Sequence, residues 1–342
     1  MRKYFLYKNI KVLSVHDDYF IASEGYNLKY VDIKTNKISH YASINGDLLY
    51  SLFSRFYLTR RFFRAEITNL YELSNGTEIC IAKKGIFRKE KNETTLKKCF
   101  SIKRGSRPMN LCINDEEHIF FGEYFSNKQK QAVNIYTSKD KGLTWSIAYT
   151  FTAGNINHIH GLFWDRYTKR IWITTGDREN ECIIAYTENS FKTLNIVFRG
   201  GQEFRATNLL FYKDFIVFGT DSQYIKNEIK RIDRDTLSIS KIKDIQGSAI
   251  YGGQCGDFAY ISTTVEPSEI NKDNNSYLWY TKDGIEWKQL FSDKKDSWNG
   301  NLFQFGSILF PQYMSTKILK ENIFFYGRAL KKIGGHSIKL EL

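Results

Sequence analysis

Four acidic residues are spaced for acid–base chemistry, because each comes at or just after the end of an apolar run. They are Glu123, Asp177, Asp221 and Glu266. Two carboxylates that share a site can serve as a general acid and as a base or nucleophile. Tyr124 follows Glu123 directly and could abstract a proton in an elimination. The alternative is that these carboxylates are solvated turn residues. We expect catalytic groups among these five residues.

Two histidines lie two positions apart in an extended segment. His158 and His160 therefore point to the same side of the backbone. This arrangement suits a metal ion, a proton shuttle or a hydrogen bond to a carboxylate. Hydrogen bonds to a neighbouring loop carbonyl are the structural alternative. Two histidines are too few for a zinc site, so we expect no metal and no cofactor, and we assign His160 to the catalytic group.

Basic, amide and aromatic residues in the remaining predicted loops could hold an anionic ligand. Arginine can clamp a carboxylate through two parallel hydrogen bonds. The alternatives are a structural arginine that joins neighbouring sheets and, for the run 60–64, a solvated insertion instead of a basic lip. The predicted ligand-binding residues are Arg64, Arg107, His158, Gln202, Arg205, Trp298 and Arg328.

Short apolar strands separated by turns recur along the whole chain, about every 45–60 residues, in the range of four-stranded propeller blades. The seventh repeat lacks one strand, and a spare strand, Lys3–Lys8, precedes the first repeat. If the spare strand completes the last sheet, no long edge stays unpaired. The sequence therefore predicts an all-β, seven-bladed β-propeller closed by the N-terminus, with six blades as the alternative.

The loops of these repeats position the candidate residues, since binding groups concentrate on loops held by a rigid scaffold. We expect the loops after the second strand and those between repeats to open on one face around a central channel. The whole chain, residues 1–342, is predicted to be one domain with an insertion at about 43–66, in which Asp47–Tyr57 could be a short helix.

One turn motif occurs more than once. It reads Ser-Lys-Asp-Lys-Gly-Leu-Thr-Trp over 138–145, and a shorter copy reads Thr-Lys-Asp-Gly-Ile-Glu-Trp over 281–287. A decayed third copy spans 186–191. Aspartate, glycine and threonine at these positions are typical of a tight hairpin turn. We expect Asp140 and Asp283 to be structural.

This motif resembles the Asp-box, or BNR, hairpin of sialidase-like β-propellers. The resemblance implies a β-propeller whose ligand is a carbohydrate. In sialidases an arginine triad binds the substrate carboxylate, an aspartate is the acid/base and a tyrosine is the nucleophile; Arg107, Arg205 and Arg328 could form the triad here, with Tyr124 or Tyr251 as the nucleophile. We carry over the fold and the carbohydrate ligand, and not the catalytic roles.

The net charge and the composition of the chain indicate which classes of partner and which cellular location to expect. The formal net charge of +13 favours a polyanion, unless it reflects only a basic source composition. No nucleic-acid-binding motif accompanies the charge, so we expect no nucleic acid. No apolar run reaches the roughly 18–20 residues of a membrane span, and the N-terminus does not resemble a signal peptide. The five cysteines show no paired spacing, which favours reduced thiols and a cytoplasmic location.

Together these patterns favour an enzyme of glycosidase or polysaccharide-lyase type that acts on an acidic oligosaccharide or polysaccharide, with polysaccharide assembly as one role open to it. The alternative is a propeller that binds a glycan or a protein without chemistry. The sequence leaves the sugar, the linkage and the oligomeric state open.

Overall fold

The computed structural model describes residues 3–44 and 48–342. Strands account for 49% of the residues and helices for 8%, so the predicted all-β class is confirmed. None of the helices in the described ranges combines the length and the apolar character that crossing a bilayer requires.

The strands are short and follow one another through tight turns. The first nine are β1 (Tyr4–Tyr7), β2 (Lys11–Val15), β3 (Tyr19–Glu24), β4 (Asn27–Asp32), β5 (Ile38–Ile44), β6 (Asn69–Glu72), β7 (Glu78–Ala82), β8 (Gly85–Lys89) and β9 (Thr95–Ser101). The next eight are β10 (Cys112–Ile113), β11 (Ile119–Gly122), β12 (Val133–Ser138), β13 (Ser146–Phe151), β14 (His158–Asp165), β15 (Arg170–Gly176), β16 (Ile183–Thr187) and β17 (Asn195–Arg199). The remaining strands are β18 (Leu210–Phe211), β19 (Phe215–Gly219), β20 (Asn227–Asp233), β21 (Ile239–Ile245), β22 (Ser248–Cys255), β23 (Phe258–Thr264), β24 (Asn275–Thr281), β25 (Lys288–Lys294), β26 (Ser307–Leu309), β27 (Gln312–Tyr313), β28 (Asn322–Arg328) and β29 (Ser337–Glu341).

The helices are few and short. They are α1 (Leu48–Phe53), α2 (Tyr57–Phe63), α3 (Gly300–Phe303) and α4 (Thr316–Leu319), with 3-10 turns at Glu179–Glu181 and Gln202–Phe204. The predicted helix over Asp47–Tyr57 corresponds to α1 and the start of α2, except that residue 47 lies outside the described residues.

The strands form six sheets. Five sheets have four strands each, in the orders β10-β11-β12-β13, β14-β15-β16-β17, β18-β19-β20-β21, β22-β23-β24-β25 and β1-β29-β28-β26. The sixth has nine strands in the order β27-β2-β3-β4-β5-β9-β8-β7-β6, and β5 and β9 pair in parallel there. Strand β1 occupies the end position beside β29, with Tyr4 opposite Leu340. The predicted pairing of the N-terminal strand with the last sheet is confirmed.

The same irregularity recurs where the third strand of a sheet pairs with the fourth. A one-residue register shift lies between Ile135 and Tyr136, and equivalent shifts occur in the pairs β4–β5, β16–β17, β20–β21 and β24–β25. A bulge at a fixed place sharpens the local twist in the same way each time. Its recurrence supports an internal structural repeat.

Contacts divide the chain into two compact units. The first comprises Met1–Lys98, Tyr251–Glu266 and Asp273–Leu342, and the second comprises Cys99–Ile250 and Pro267–Lys272. In the second unit the second strands, β11 and β19, are buried along their whole length, whereas the fourth strands, such as β13, are largely exposed. This explains why the second strands are continuous apolar runs in the sequence.

The first hairpin motif is closed by its own side chains. The Asp140 carboxylate accepts hydrogen bonds from Ser138 Oγ at 2.8 Å, from Thr144 N at 2.8 Å and from Thr144 Oγ1 at 2.5 Å. Trp145 Nε1 donates to the Gly142 carbonyl at 3.2 Å. The prediction that Asp140 is structural is confirmed.

The other two copies repeat this pattern. Asp283 Oδ1 accepts from Ile285 N at 2.8 Å, and Trp287 Nε1 donates to the carbonyl of Gly284 at 3.1 Å. In the decayed copy Asn189 replaces the aspartate, and its Oδ1 accepts from Thr193 N at 3.0 Å. The amide oxygen of asparagine can therefore close the same turn.

A buried ion pair joins two sheets of the second unit. Asp165 ends β14 and has no exposed surface. Arg234 donates to both of its carboxylate oxygens, at 2.6 and 3.1 Å. Such a pair is costly to break from one side, because the remaining charge stays buried.

The predicted basic lip at 60–64 is wrong for two of its three arginines. Arg60 and Arg61 are only 6% and 3% exposed. Arg60 Nε donates to the Ser54 carbonyl at 2.9 Å, and Arg61 Nη1 donates to Asp296 Oδ2 at 2.6 Å. Their guanidinium groups therefore anchor α2 to the first unit instead of facing a ligand.

Candidate functional site

The two predicted histidines lie at the start of β14 and are both buried. Each ring places Nδ1 against a main-chain carbonyl oxygen: His158 Nδ1 lies 3.1 Å from the Phe125 oxygen, and His160 Nδ1 lies 3.0 Å from the Ala206 oxygen. A carbonyl only accepts, so Nδ1 carries the proton in both rings. Both histidines therefore make the hydrogen bond to a main-chain carbonyl that was the structural alternative in the sequence analysis. These bonds use Nδ1 and leave Nε2 of each ring for another role.

The Asp177 carboxylate lies beside both Nε2 atoms. Its Oδ2 is 3.3 Å from His158 Nε2, and its Oδ1 is 3.5 Å from His160 Nε2. Asn157 Nδ2 donates to Oδ2 at 2.5 Å, and Arg205 Nη2 donates to Oδ1 at 3.1 Å. The side chain of Asp177 is 31% exposed, whereas both histidine side chains are below 10%. Asp177 is thus the open edge of a buried polar cluster.

The backbone at Asp177 is held in an uncommon conformation, with φ of 104°. Gln202 Nε2 donates to its carbonyl at 3.0 Å and thereby helps to fix it. The preceding residue, Gly176, leaves no room for a side chain, because an added Cβ would lie 2.6 Å from His160 Cε1. Strained residues persist where the surroundings over-determine them, and they concentrate at functional sites.

Arg205 joins two carboxylates with different environments. Besides contacting Asp177, its Nε lies 3.5 Å from Asp221 Oδ2. Burial would raise the pKa of Asp177, but interactions with His158 and His160 outweigh burial and hold that pKa well below its usual value. Burial raises the pKa of Asp221, which is 4% exposed, against the opposing charge of Arg205.

The five residues His158, His160, Asp177, Arg205 and Asp221 are called the Asp177 cluster below. All were predicted as site residues, and all belong to the second unit. They come from two neighbouring sheets and the loop that connects them, so only the fold brings them together.

Gln202 is a positioning residue and not a ligand-binding one. It is 8% exposed, and both ends of its amide are used within the protein. While Nε2 holds the Asp177 carbonyl, Oε1 accepts from Ser222 Oγ at 3.0 Å. The Ser222 carbonyl in turn accepts from Asn227 Nδ2 at 2.8 Å and from Asn271 Nδ2 at 3.0 Å. This buried amide network supports the cluster from behind, and no local pattern indicated it.

Glu123, which was predicted to be catalytic, is held by three contacts within the protein. It is 6% exposed. Arg104 Nε donates to its Oε1 at 2.9 Å, Arg104 Nη2 contacts Oε2, and the main-chain N of Asn134 donates to Oε2 at 2.8 Å. Sequence reasoning missed Arg104, although it lies in the same loop as the predicted Arg107.

A shallow pocket adjoins the cluster. Its lining includes Arg104, Arg107, Glu123 and Tyr124. The Tyr124 ring is 38% exposed, and its centroid lies 4.2 Å from that of His158. Tyr124 therefore connects the pocket with the cluster, and Arg107 lies where a ligand in the pocket would contact it.

The other four predicted residues belong to the first unit. Arg328 is 6% exposed and donates through Nη2 to Tyr251 Oη at 2.5 Å. Arg64 is exposed and ends α2 with φ of 55°. Trp298 is 46% exposed, with its ring 5.0 Å from that of Phe303. Glu266 is partly buried just after β23, and its main-chain N donates to the Thr264 carbonyl at 3.0 Å.

No protein-family model matches the chain, and no curated protein matches it. Solved structures do. A chain of a structure titled "Crystal Structure of Mitotic Checkpoint Complex" is 8% identical with a TM-score of 0.55, over 97% of this chain and 89% of that one. A chain of the "Crystal structure of Nidogen/Laminin Complex" is 10% identical with a TM-score of 0.52, over 85% of this chain and 97% of that one.

A third structure, from a study of two prolyl endopeptidases, is 10% identical with a TM-score of 0.56. It covers 94% of this chain, which spans 46% of that longer protein. The neighbours are propeller-type proteins, so the β-propeller fold is shown. Identities this low carry the fold alone.

Proposed function

We propose that the protein is a carbohydrate-active β-propeller that acts on an acidic glycan at the Asp177 cluster. The observation that carries the proposal is that Arg205 contacts two carboxylates, those of Asp177 and Asp221, while two histidines contact the first of them. Paired carboxylates in unlike environments are the usual machinery of glycoside cleavage.

In this proposal the two carboxylates have different roles. Asp221 is buried with a raised pKa and supplies a proton to the leaving oxygen. Asp177 is partly exposed at the edge of the cluster and faces the substrate as the ionised partner. We assign neither role to Glu123, because Arg104 holds both of its carboxylate oxygens.

The acidic character of the substrate rests on charge. The chain carries a formal net charge of +13. Arg104 and Arg107 both line the pocket beside Tyr124, where an arginine can bind a uronate or sialate carboxylate and the ring can pack against a sugar face.

Two further proposals concern the fold family. The nine-stranded sheet contains two antiparallel four-strand groups, β2–β5 and β6–β9. Counting each group as one blade, with the five four-stranded sheets, supports seven blades. The shared hydrogen-bond pattern of the three hairpins supports the proposed kinship with Asp-box, sialidase-like propellers.

A propeller that binds an acidic glycan without chemistry is the second candidate. It is favoured by the contacts of the acids with arginines, Glu123 with Arg104 and both Asp177 and Asp221 with Arg205. Carboxylates that are paired in this way hold arginines in fixed positions, which suits recognition as well as catalysis.

A screen of acidic oligosaccharides separates the two candidates. Wild type, Asp177→Asn and Asp221→Asn are compared for binding and turnover, with Asp214→Asn as a control because Asp214 is exposed in the same unit. We expect turnover by wild type and the control, and retained binding without turnover by the other two variants. Binding without turnover by every protein favours the second candidate, and no binding by wild type refutes both.

A further inference from the structure

The Nε2 atoms of the two histidines and the Asp177 carboxylate are arranged around a common point. One nitrogen or oxygen atom from each of His158, His160 and Asp177 lies within 4.8 Å of the other two. His158 Nε2 lies 3.3 Å from Asp177 Oδ2 and His160 Nε2 lies 3.5 Å from Asp177 Oδ1, so a different carboxylate oxygen faces each ring at a separation close to the edge of a tetrahedron of ligands around zinc. Zn–N and Zn–O distances near 2.0–2.1 Å give an edge of about 3.3 Å.

The second ring nitrogens support the same arrangement. A histidine that binds a metal almost always donates its other N–H to a carbonyl, a carboxylate or water, which fixes the ring and its tautomer. Both rings do so here, to the carbonyls of Phe125 and Ala206. An unprotonated Nε2 facing the Asp177 carboxylate would be repelled by it, so either a proton or a metal cation lies between each ring and the carboxylate.

His158 adds an independent observation. Its Nε2 is buried and makes no hydrogen bond with any residue in the described ranges, although Asp177 Oδ2 is only 3.3 Å away. The atom therefore does not point at the carboxylate oxygen as a hydrogen-bond donor would. Metal ligands behave in this way, because they point at the ion and not at one another.

Asp177 has capacity for an ion in addition to its present contacts. A carboxylate offers about four lone-pair sites. Asn157 and Arg205 each use one of them, and these contacts orient the carboxylate as the outer shell of a metal site does. Since Asp177 is the exposed edge of the cluster, a fourth ligand position would open toward solvent.

We propose that His158 Nε2, His160 Nε2 and the Asp177 carboxylate form a binding site for a divalent transition metal of the zinc class, with one position left for water or an anionic ligand. Two histidines, one carboxylate and an open position are typical of catalytic zinc sites. The inference deepens the proposed function, since the open position could take the acid group of the glycan, but the site stands without that substrate.

Metal binding is tested without any glycan. The chelator-treated full chain is titrated with Zn²⁺ by calorimetry, the bound metal is counted by elemental analysis, and Mg²⁺ serves as the hard-cation comparison. We expect one Zn²⁺ per chain and no Mg²⁺ binding. His158→Ala and His160→Ala should lose this stoichiometric binding, and Asn157→Ala should weaken it by about 10–100-fold.

His118→Ala is the matched control, because His118 lies in the same unit with a partly exposed ring near Glu116. It should bind like wild type. Circular dichroism and the urea midpoint check folding, and Asp177→Asn gives a variant of unchanged shape whose Zn²⁺ binding should also fall. Wild-type binding no stronger than that of the three ligand variants would overturn the proposal, as would loss of binding in His118→Ala alone. A glycan screen that fails while Zn²⁺ binds would refute only the proposed function.

Discussion

Asp221→Asn should increase stability at neutral pH, although the residue is buried. Burial raises the pKa of Asp221 above the value of 3.8 that it has when unfolded. The folded state therefore binds the proton more tightly than the unfolded state, and stability falls as the pH rises from the unfolded pKa toward the folded one. Each unit of that interval costs wild type about 1.4 kcal/mol. Asparagine keeps the shape and does not ionise, so the variant lacks this loss.

The assay is urea unfolding of wild type and variant from about pH 4 to about pH 7, the range in which buried carboxyl groups titrate. The free-energy difference should be small at the acidic end and should grow in favour of Asp221→Asn as the pH rises. Asp221→Asn should be inactive throughout this pH range, because the variant lacks the catalytic acid. A gain in stability with a loss of activity is typical of a functional residue.

Asp165→Asn is the matched comparison. Asp165 has no exposed surface, and it lies in the second unit, as Asp221 does. Both Nη atoms of Arg234 donate to its carboxylate. Removing its charge leaves the arginine uncompensated, and we expect a loss of about 3–5 kcal/mol. If Asp221→Asn loses stability to the same extent, with a difference that does not change with pH, the assignment of Asp221 as a buried neutral acid is refuted.

Three smaller perturbations test other features. Gly176→Ala should lose about 1–3 kcal/mol through overpacking against His160 and should bind Zn²⁺ more weakly; unchanged urea midpoint and affinity would contradict this. Burial would raise the pKa of Asp140, but hydrogen bonds from Thr144 and Ser138 outweigh burial and lower that pKa. The Asp140 carboxylate therefore stabilises the folded state above the unfolded pKa of 3.8, and this stabilisation is lost as the pH falls through the folded-state pKa. Asp140→Asn should therefore lower the melting temperature at neutral pH and leave it unchanged in acid. A difference in melting temperature that stays constant with pH would contradict this prediction. Arg170→Ala removes a partly exposed ion pair with Glu188 and a cation–π contact with the Tyr186 ring, and it should cost about 1–2 kcal/mol in urea; a larger loss would contradict this expectation.

Local patterns allowed much of the site to be predicted. The hairpin turns are set by neighbouring residues, so Asp140 and its copies could be assigned from the motif alone. Acids at strand ends and histidines two apart are also local signals, and they led to Asp177, Asp221, His158 and His160. The strand periodicity then suggested that these residues share a face.

Long-range contacts could not be predicted in the same way. Arg328 and Arg61 were expected at a surface, because arginine is rarely buried, yet Arg61 donates to Asp296, 235 positions away, and Arg328 donates to Tyr251, 77 positions away. The pairing of Asp165 with Arg234 depends on residues 69 positions apart. The third ligand beside the histidines, Asp177, was likewise named as an acid and not as a ligand, since only the fold shows its distance from the two rings.

Product analysis by mass spectrometry tests whether the Asp177 cluster carries out chemistry on an acidic glycan. Wild type, Asp221→Asn and the exposed control Asp214→Asn are incubated with a mixture of uronate- and sialate-containing oligosaccharides. We expect wild type and the control to convert at least one acidic oligosaccharide to shorter or unsaturated products, and we expect Asp221→Asn to leave it intact. Equal conversion by Asp221→Asn would contradict the claim that the Asp177 cluster carries the chemistry.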